Sequence, residues 1–106
     1  MDEDKVFDAL AIRDTSNHDS GIANSGEFTA KVIIIENGLN QTVTFQLQGS
    51  RDCTVWLDIG ATFDVAASTN QYETVGTYFP CYRLQAICVT APTTGTLDTY
   101  IIKTRL

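Results

Sequence analysis

The sequence predicts a single all-β domain: a β-sandwich, jelly-roll or Greek-key-like, of about seven or eight short strands. Three observations predict it. Polar and apolar residues alternate with period two over residues 42–48, and the alternation resumes over 53–59 after a Gly-Ser-Arg-Asp break. Turn-forming clusters return at short intervals along the chain. No segment carries a convincing helical spacing of apolar residues. The 106 residues suit one core, and no internal repeat, linker or low-complexity segment divides them.

In chain order, residues 5–12 carry Val6, Phe7, Leu10 and Ile12, a pattern that fits a short strand or a helical turn. Residues 13–26, rich in Asp, Ser, Asn and Gly, read as a long loop. Residues 1–26 are thus expected to include a partly mobile arm. Residues 27–36 form a strand apolar on both faces at its end, with Val32 and Ile34 on one side and Ile33 and Ile35 on the other. Such a strand is central or covered by a partner. Asn37-Gly38-Leu39-Asn40 predicts a tight turn and a hairpin into the next strand from residue 41.

In that next strand Val43, Phe45 and Leu47 point inward and Thr42, Thr44, Gln46 and Gln48 outward. After the break, Cys53, Val55, Leu57 and Ile59 repeat the inward set, which leaves Trp56 on the polar face. Phe63, Val65 and Ala67 suggest a short strand, residues 68–71 a polar turn, and 72–79 a further strand interrupted by Pro80, which lacks a ladder donor. Residues 82–90 form a long strand with Tyr82, Leu84, Ala86 and Cys88 on one face and Arg83, Gln85, Ile87 and Val89 on the other. Residues 91–95 turn, and 97–106 close the fold.

Composition narrows the function classes. Hydrophobic residues at 43% and charged residues at 19% fit a folded domain rather than a disordered chain. The net charge of −6 repels phosphate backbones and anionic membranes, so neither nucleic acid nor membrane is an expected partner. The longest apolar run, Val32 to Ile35, is far too short to span a bilayer. The acidic start, Met-Asp-Glu-Asp-Lys, has no signal-peptide pattern, which predicts synthesis in the cytoplasm.

Cys53, Cys81 and Cys88 have no metal-binding spacing. Cys81 and Cys88 on one extended strand would lie about 23 Å apart, beyond disulfide reach. Cys53 could bridge to either across strands, but all three are expected as reduced, small apolar fillers.

Candidate chemistry is sparse. His18, the one histidine, has Asp14, Ser16, Asp19 and Ser20 around it in a polar loop. Neighbours in one loop seldom make a nucleophile–base–carboxylate relay. One histidine and scattered cysteines serve zinc poorly, and the 14–19 segment lacks the bidentate glutamate of a calcium loop. No phosphate-binding glycine motif occurs. No catalytic residue, metal or cofactor is therefore expected. Trp56, Tyr72, Tyr78 and Tyr82, with Tyr100, remain candidates for a sugar-stacking platform.

From Val32 onward the order of features resembles small β-sandwich virion proteins of tailed bacteriophages and prophages. The residues carrying the likeness are Ile35-Glu36-Asn37-Gly38-Leu39-Asn40-Gln41-Thr42-Val43, Leu47-Gln48-Gly49-Ser50 and Val55-Trp56-Leu57-Asp58-Ile59-Gly60. Further along come Phe79-Pro80-Cys81-Tyr82-Arg83-Leu84-Gln85-Ala86 and Ala91-Pro92-Thr93-Thr94-Gly95-Thr96-Leu97. The family's Pro-Tyr-x-Arg strand is altered here, because Cys81 separates Pro80 from Tyr82. The resemblance implies a non-enzymatic virion protein, a capsid decoration or minor head or tail component assembled in the host cytoplasm. Its partners would be identical subunits and other virion proteins. The residues expected at those contacts are Ile33, Ile35, Trp56, Ile87 and Val89, with Arg83 as a polar lock. The alternative is a carbohydrate-binding module using the exposed aromatics.

Overall fold

The computed structural model describes residues 2–25 and 30–104. Among them nine strands occur: β1 (Asp2–Leu10), β2 (His18–Asp19), β3 (Ala23–Asn24), β4 (Ala30–Asn37), β5 (Val43–Ser50), β6 (Leu57–Val65), β7 (Thr69–Val75), β8 (Cys81–Ile87) and β9 (Leu97–Thr104). They build a sandwich of two antiparallel sheets. Sheet A runs β1-β9-β4-β7 and sheet B β2-β8-β5-β6, with β3 continuing β2 along the same edge of β8. Each sheet thus interleaves strands from distant parts of the chain, and among the described strands only β5 and β6 are consecutive strands that pair with each other.

The core lies between the sheets, where alternate residues of β4, β5, β8 and β9 meet. Ile33, Ile35, Val43, Phe45, Leu84, Ala86, Leu97 and Ile101 are almost wholly removed from water. Each large side chain buried this way stabilises the fold by about 1.5–3 kcal/mol. The period-two expectation for β5 and for the inward set Tyr82, Leu84, Ala86 and Cys88 holds in the structure.

Several expectations are corrected. The 37–40 segment is not a hairpin turn: β4 ends in sheet A and β5 starts in sheet B. Asn37 is buried, its Nδ2 donates to the carbonyls of Gln41, Val65 and Ala66, and its Oδ1 accepts from the Leu39 amide. These bonds satisfy the chain as it crosses the core, and Leu39 plugs the interior. Gly38 lies against the carbonyl of Thr96, to which its amide donates at 2.9 Å. Gly95 opposite, at φ +90°, has no room for a side chain against Gly38.

The segment 13–26 is not all loop. His18 and Asp19 pair with Ala86 and Gln85, and Ala23 and Asn24 pair with Tyr82 and Cys81. Residues 2–10, expected within an arm, are the edge strand β1 on β9. Gly26, which ends that expected loop, and the start of the strand expected at 27–36 lie outside the described residues, as does the end of the closing strand expected at 97–106.

Residues 51–56 are a loop, so Val55 is exposed instead of inward, and Leu57, the first residue of β6, is exposed as well. The strand expected near Phe63 is the second half of β6. There the register slips: Phe45 faces Phe63 while Leu47 faces Ile59, so two residues of β5 match four of β6, with Gly60 at φ +69° in the bulge. The strand expected at 72–79 lies earlier, at Thr69–Val75.

Cys53 and Cys81 are joined in a disulfide, their Cα atoms 5.5 Å apart, against the expectation of three reduced thiols. The 51–56 loop folds back over the start of β8 and brings them together. Cys53 takes a left-handed φ of 63° there. Cys88 remains a free, buried thiol, and burial pushes its pKa up.

Candidate functional site

The two sheets present outer faces of different chemistry. On sheet B, Asp58, Gln48 and Arg83 form one cross-strand row, and Gln46 and Gln85 the next. Arg83 Nε donates to Gln48 Oε1 at 2.8 Å, and Gln48 Nε2 donates to Asp58 Oδ1 at 2.8 Å. Gln85 Nε2 donates to Asp19 Oδ1 at 2.9 Å, and this bond holds the Asp19 carboxyl below its ordinary pKa. The Arg83 guanidinium also lies 3.6 Å from Asp19 and stacks on the Trp56 ring, 4.6 Å from its centre. Trp56 is therefore half-buried on the polar face because Arg83 covers it. Beside this network Ile87 is exposed at the end of β8 and Val89, just after it, is 85% exposed.

Trp56 is positioned by a loop that the sequence builds locally. Asp52 Oδ1 accepts from the amides of Thr54 and Val55 and from Ser50 Oγ, and these bonds pull its carboxyl well below the usual range. The disulfide pins the same loop to β8.

On sheet A the outer face is apolar at its centre. Lys5, Tyr100, Ile34 and Tyr72 occupy one row across β1, β9, β4 and β7. The next row in one direction contains Ile102 and Val32, and in the other Asp98, Glu36 and Asn70. Tyr72 is 68% exposed. Lys5 sits 5.3 Å from the centre of the Tyr100 ring and pairs with Asp8 and Asp98, which hold its pKa above the ordinary lysine value. A cleft of about 430 Å³ opens at the polar end of this face, lined by Glu36, Asn70, Asp98, Ser68, Gly38 and Thr96, with Asn37 at its base.

The residues named from sequence are thus scattered. Ile33 and Ile35, expected on an exposed face, point into the core, and it is Val32 and Ile34 that face outward. A one-residue change of phase decides this, and a strand apolar on both sides carries no phase signal. Arg83 and Ile87 do share the outer side of β8, where Trp56 stacks on Arg83, and Val89 follows in the exposed segment after the strand.

The four-aromatic platform does not assemble. Tyr82 is buried, its hydroxyl donating to the Thr77 carbonyl at 2.7 Å and accepting from the Phe79 amide at 2.9 Å. Tyr78 lies over Lys31, Trp56 is on sheet B, and Tyr72 is on sheet A. Tyr72 is joined instead by Tyr100 across Ile34, a pairing that becomes visible only once β7, β4 and β9 are known to be neighbours.

In the 14–19 loop, His18 Nε2 contacts both Asp14 Oδ1 at 2.9 Å and Ser16 Oγ at 3.5 Å. Both use one ring nitrogen, whereas a relay needs nucleophile and carboxylate on opposite nitrogens. Among the described residues no group of three His, Cys, Asp or Glu side chains is arranged to hold a metal ion. No helix among them is long and apolar enough to cross a membrane.

No family model matches the chain, and no curated protein matches it. Among solved structures the chain is similar to the PBSX exported protein XepA, with a TM-score of 0.72 at 17% identity. That match covers 98% of this chain and 37% of XepA, so the chain spans little more than a third of that protein's length. At this identity the likeness shows the fold alone. The structure of PirA aligns with a TM-score of 0.49 at 15% identity, covering 83% of this chain and 93% of PirA, and carries no argument.

Proposed function

We propose that this chain is a non-enzymatic structural component of a phage-like particle, a decoration of the capsid or a minor head or tail part. It works by contact with identical subunits and other virion proteins through the outer face of sheet B. The observation that carries this reading is the Trp56–Arg83 stack beside exposed Ile87 and Val89. An aromatic ring and an arginine, already ordered against each other, are the groups that concentrate binding energy at protein interfaces, and aliphatic Ile87 lies further along the same strand as Arg83.

Three further facts support it. The two antiparallel sheets, β1-β9-β4-β7 and β2-β8-β5-β6, pack as a β-sandwich, which is compatible with the jelly-roll architecture that viral capsid domains use. The fold is shared with XepA, an exported protein of the phage PBSX. The Cys53–Cys81 disulfide suits a protein whose working life is spent outside the reducing cytoplasm, as a released particle's is.

Sedimentation velocity across a wide concentration range, alone and with purified particles, tests this reading. Self-association or co-sedimentation that is lost in both Trp56→Ala and Val89→Asp is the expected result. A strict monomer at the highest concentration that also ignores the particle overturns it.

A further inference from the structure

We infer that the outer face of sheet A is a binding site for a neutral oligosaccharide. Tyr72 and Tyr100 provide stacking surfaces, and Glu36, Asp98 and Asn70 accept or donate hydrogen bonds to hydroxyls. This site is on the sheet opposite the proposed assembly face and does not depend on that reading.

The sheet register makes the site. Tyr100 and Tyr72 flank Ile34 in a single row, two strand positions apart, hence about 10 Å between their Cα atoms. Two rings so spaced on a flat apolar floor meet two sugar units of one chain, each offering a face of C–H groups to a ring. The floor continues with Val32 and Ile102 in the adjacent row. Lys5 lies over one face of the half-buried Tyr100 ring and steadies it, so the open stacking surface is chiefly Tyr72, which is 68% exposed.

The polar groups stand one row further along the same face, where Asp98, Glu36 and Asn70 line the cleft. Carboxylates are acceptors only, and sugar hydroxyls are donors that match them. The complementarity also selects by charge. Glu36, Asp98 and Glu3 surround the apolar floor, and the one lysine in its central row, Lys5, is already paired with Asp8 and Asp98. Among the described residues of this face an anionic glycan or a phosphate meets carboxylates and a lysine already engaged, whereas a hydroxyl-rich neutral one meets acceptors.

The face also differs from sheet B, where Gln48, Arg83, Asp58, Gln85 and Asp19 satisfy one another. Glu36 and Asn70 make no side-chain hydrogen bond or ion pair within the described residues and are exposed at the cleft.

The test is an NMR titration of the full chain with cellotetraose, mannotetraose and tetra-N-acetylchitotetraose, followed by a heptalysine peptide as a cationic competitor class. The expected result is saturable shifts of amides in β4, β7 and β9 with at least one tetrasaccharide. Affinity should fall at least about tenfold in Tyr72→Ala and in Glu36→Gln, and stay unchanged in Trp56→Ala. Tyr72 and Glu36 are exposed, so both variants keep the fold. Absence of shifts with all three sugars overturns the inference. So does binding that survives Tyr72→Ala, or binding of the peptide alone. Loss of self-association in Trp56→Ala with sugar binding intact separates this site from the assembly face.

Discussion

The guanidinium of Arg83 lies 4.6 Å from the centre of the Trp56 ring, on the outer face of sheet B, and its Nε is held by Gln48. Trp56 comes from a loop and Arg83 from β8, so this one contact ties the 51–56 loop to the sheet. A double-mutant cycle with Arg83→Ala and Trp56→Ala, read by urea unfolding, is expected to give a coupling of about 0.5–1 kcal/mol. Strict additivity would mean that the stack orders nothing.

The disulfide predicts a simple thiol count. Denatured but unreduced protein should titrate one thiol, Cys88, and reduced protein three. The bridge closes a separation of 28 residues, for which loop-closure entropy gives about 3–4 kcal/mol. The Cys53→Ser/Cys81→Ala protein should unfold at correspondingly lower urea. Three titratable thiols in the unreduced chain would refute the bridge.

Tyr82 predicts a different loss. Its hydroxyl, within hydrogen-bonding distance of Thr77 and Phe79, organises the segment between β7 and β8. Tyr82→Phe keeps the packing but strips partners from a carbonyl and an amide, at about 1–3 kcal/mol. Limited proteolysis should then cut first near residues 76–80, and an unchanged cleavage pattern would argue against this role.

Lys31 predicts the pH dependence. It is 3% exposed, its Nζ has no hydrogen-bond partner, and the rings of Tyr78 and Tyr82 near it compensate only in part. Burial lowers its pKa below 10.5, so the folded state binds fewer protons than the unfolded one between the two values. Stability therefore rises with pH through that window below 10.5, and the cost is full at neutral pH. Lys31→Met should stabilise the protein by about 1 kcal/mol at pH 7 and remove the alkaline rise. A destabilised Lys31→Met with the rise intact would contradict this.

Much of the fold is legible in the residues because strand periodicity is local. Val43, Phe45 and Leu47, and Tyr82, Leu84, Ala86 and Cys88, announce their buried face by alternation alone. Ile33 and Ile35 do not, because Val32 and Ile34 are equally apolar. Which pair faces the core depends on the sheets that β4 joins. Asn37-Gly38 misleads for a related reason. It is a fine turn signal, but the partners that decide its path, Gln41, Val65, Ala66 and Thr96, come partly from far along the chain.

The candidate surfaces divide in the same way. Trp56, Ile87 and Val89 could be named from sequence because each is apolar where alternation calls for a polar residue, and Arg83 because it is the charged residue on that same face. The Tyr72–Tyr100 pair could not, since it arises from three strands that are not consecutive.

By itself the sequence determined that this protein is an all-β domain with short strands, an acidic surface and no motif for catalysis or metal binding. Only the tertiary structure decided which sheet each strand enters, which cysteines meet and which aromatics share a face. Alternation is written between adjacent residues, whereas partnership is chosen by the packing of segments far apart in the chain.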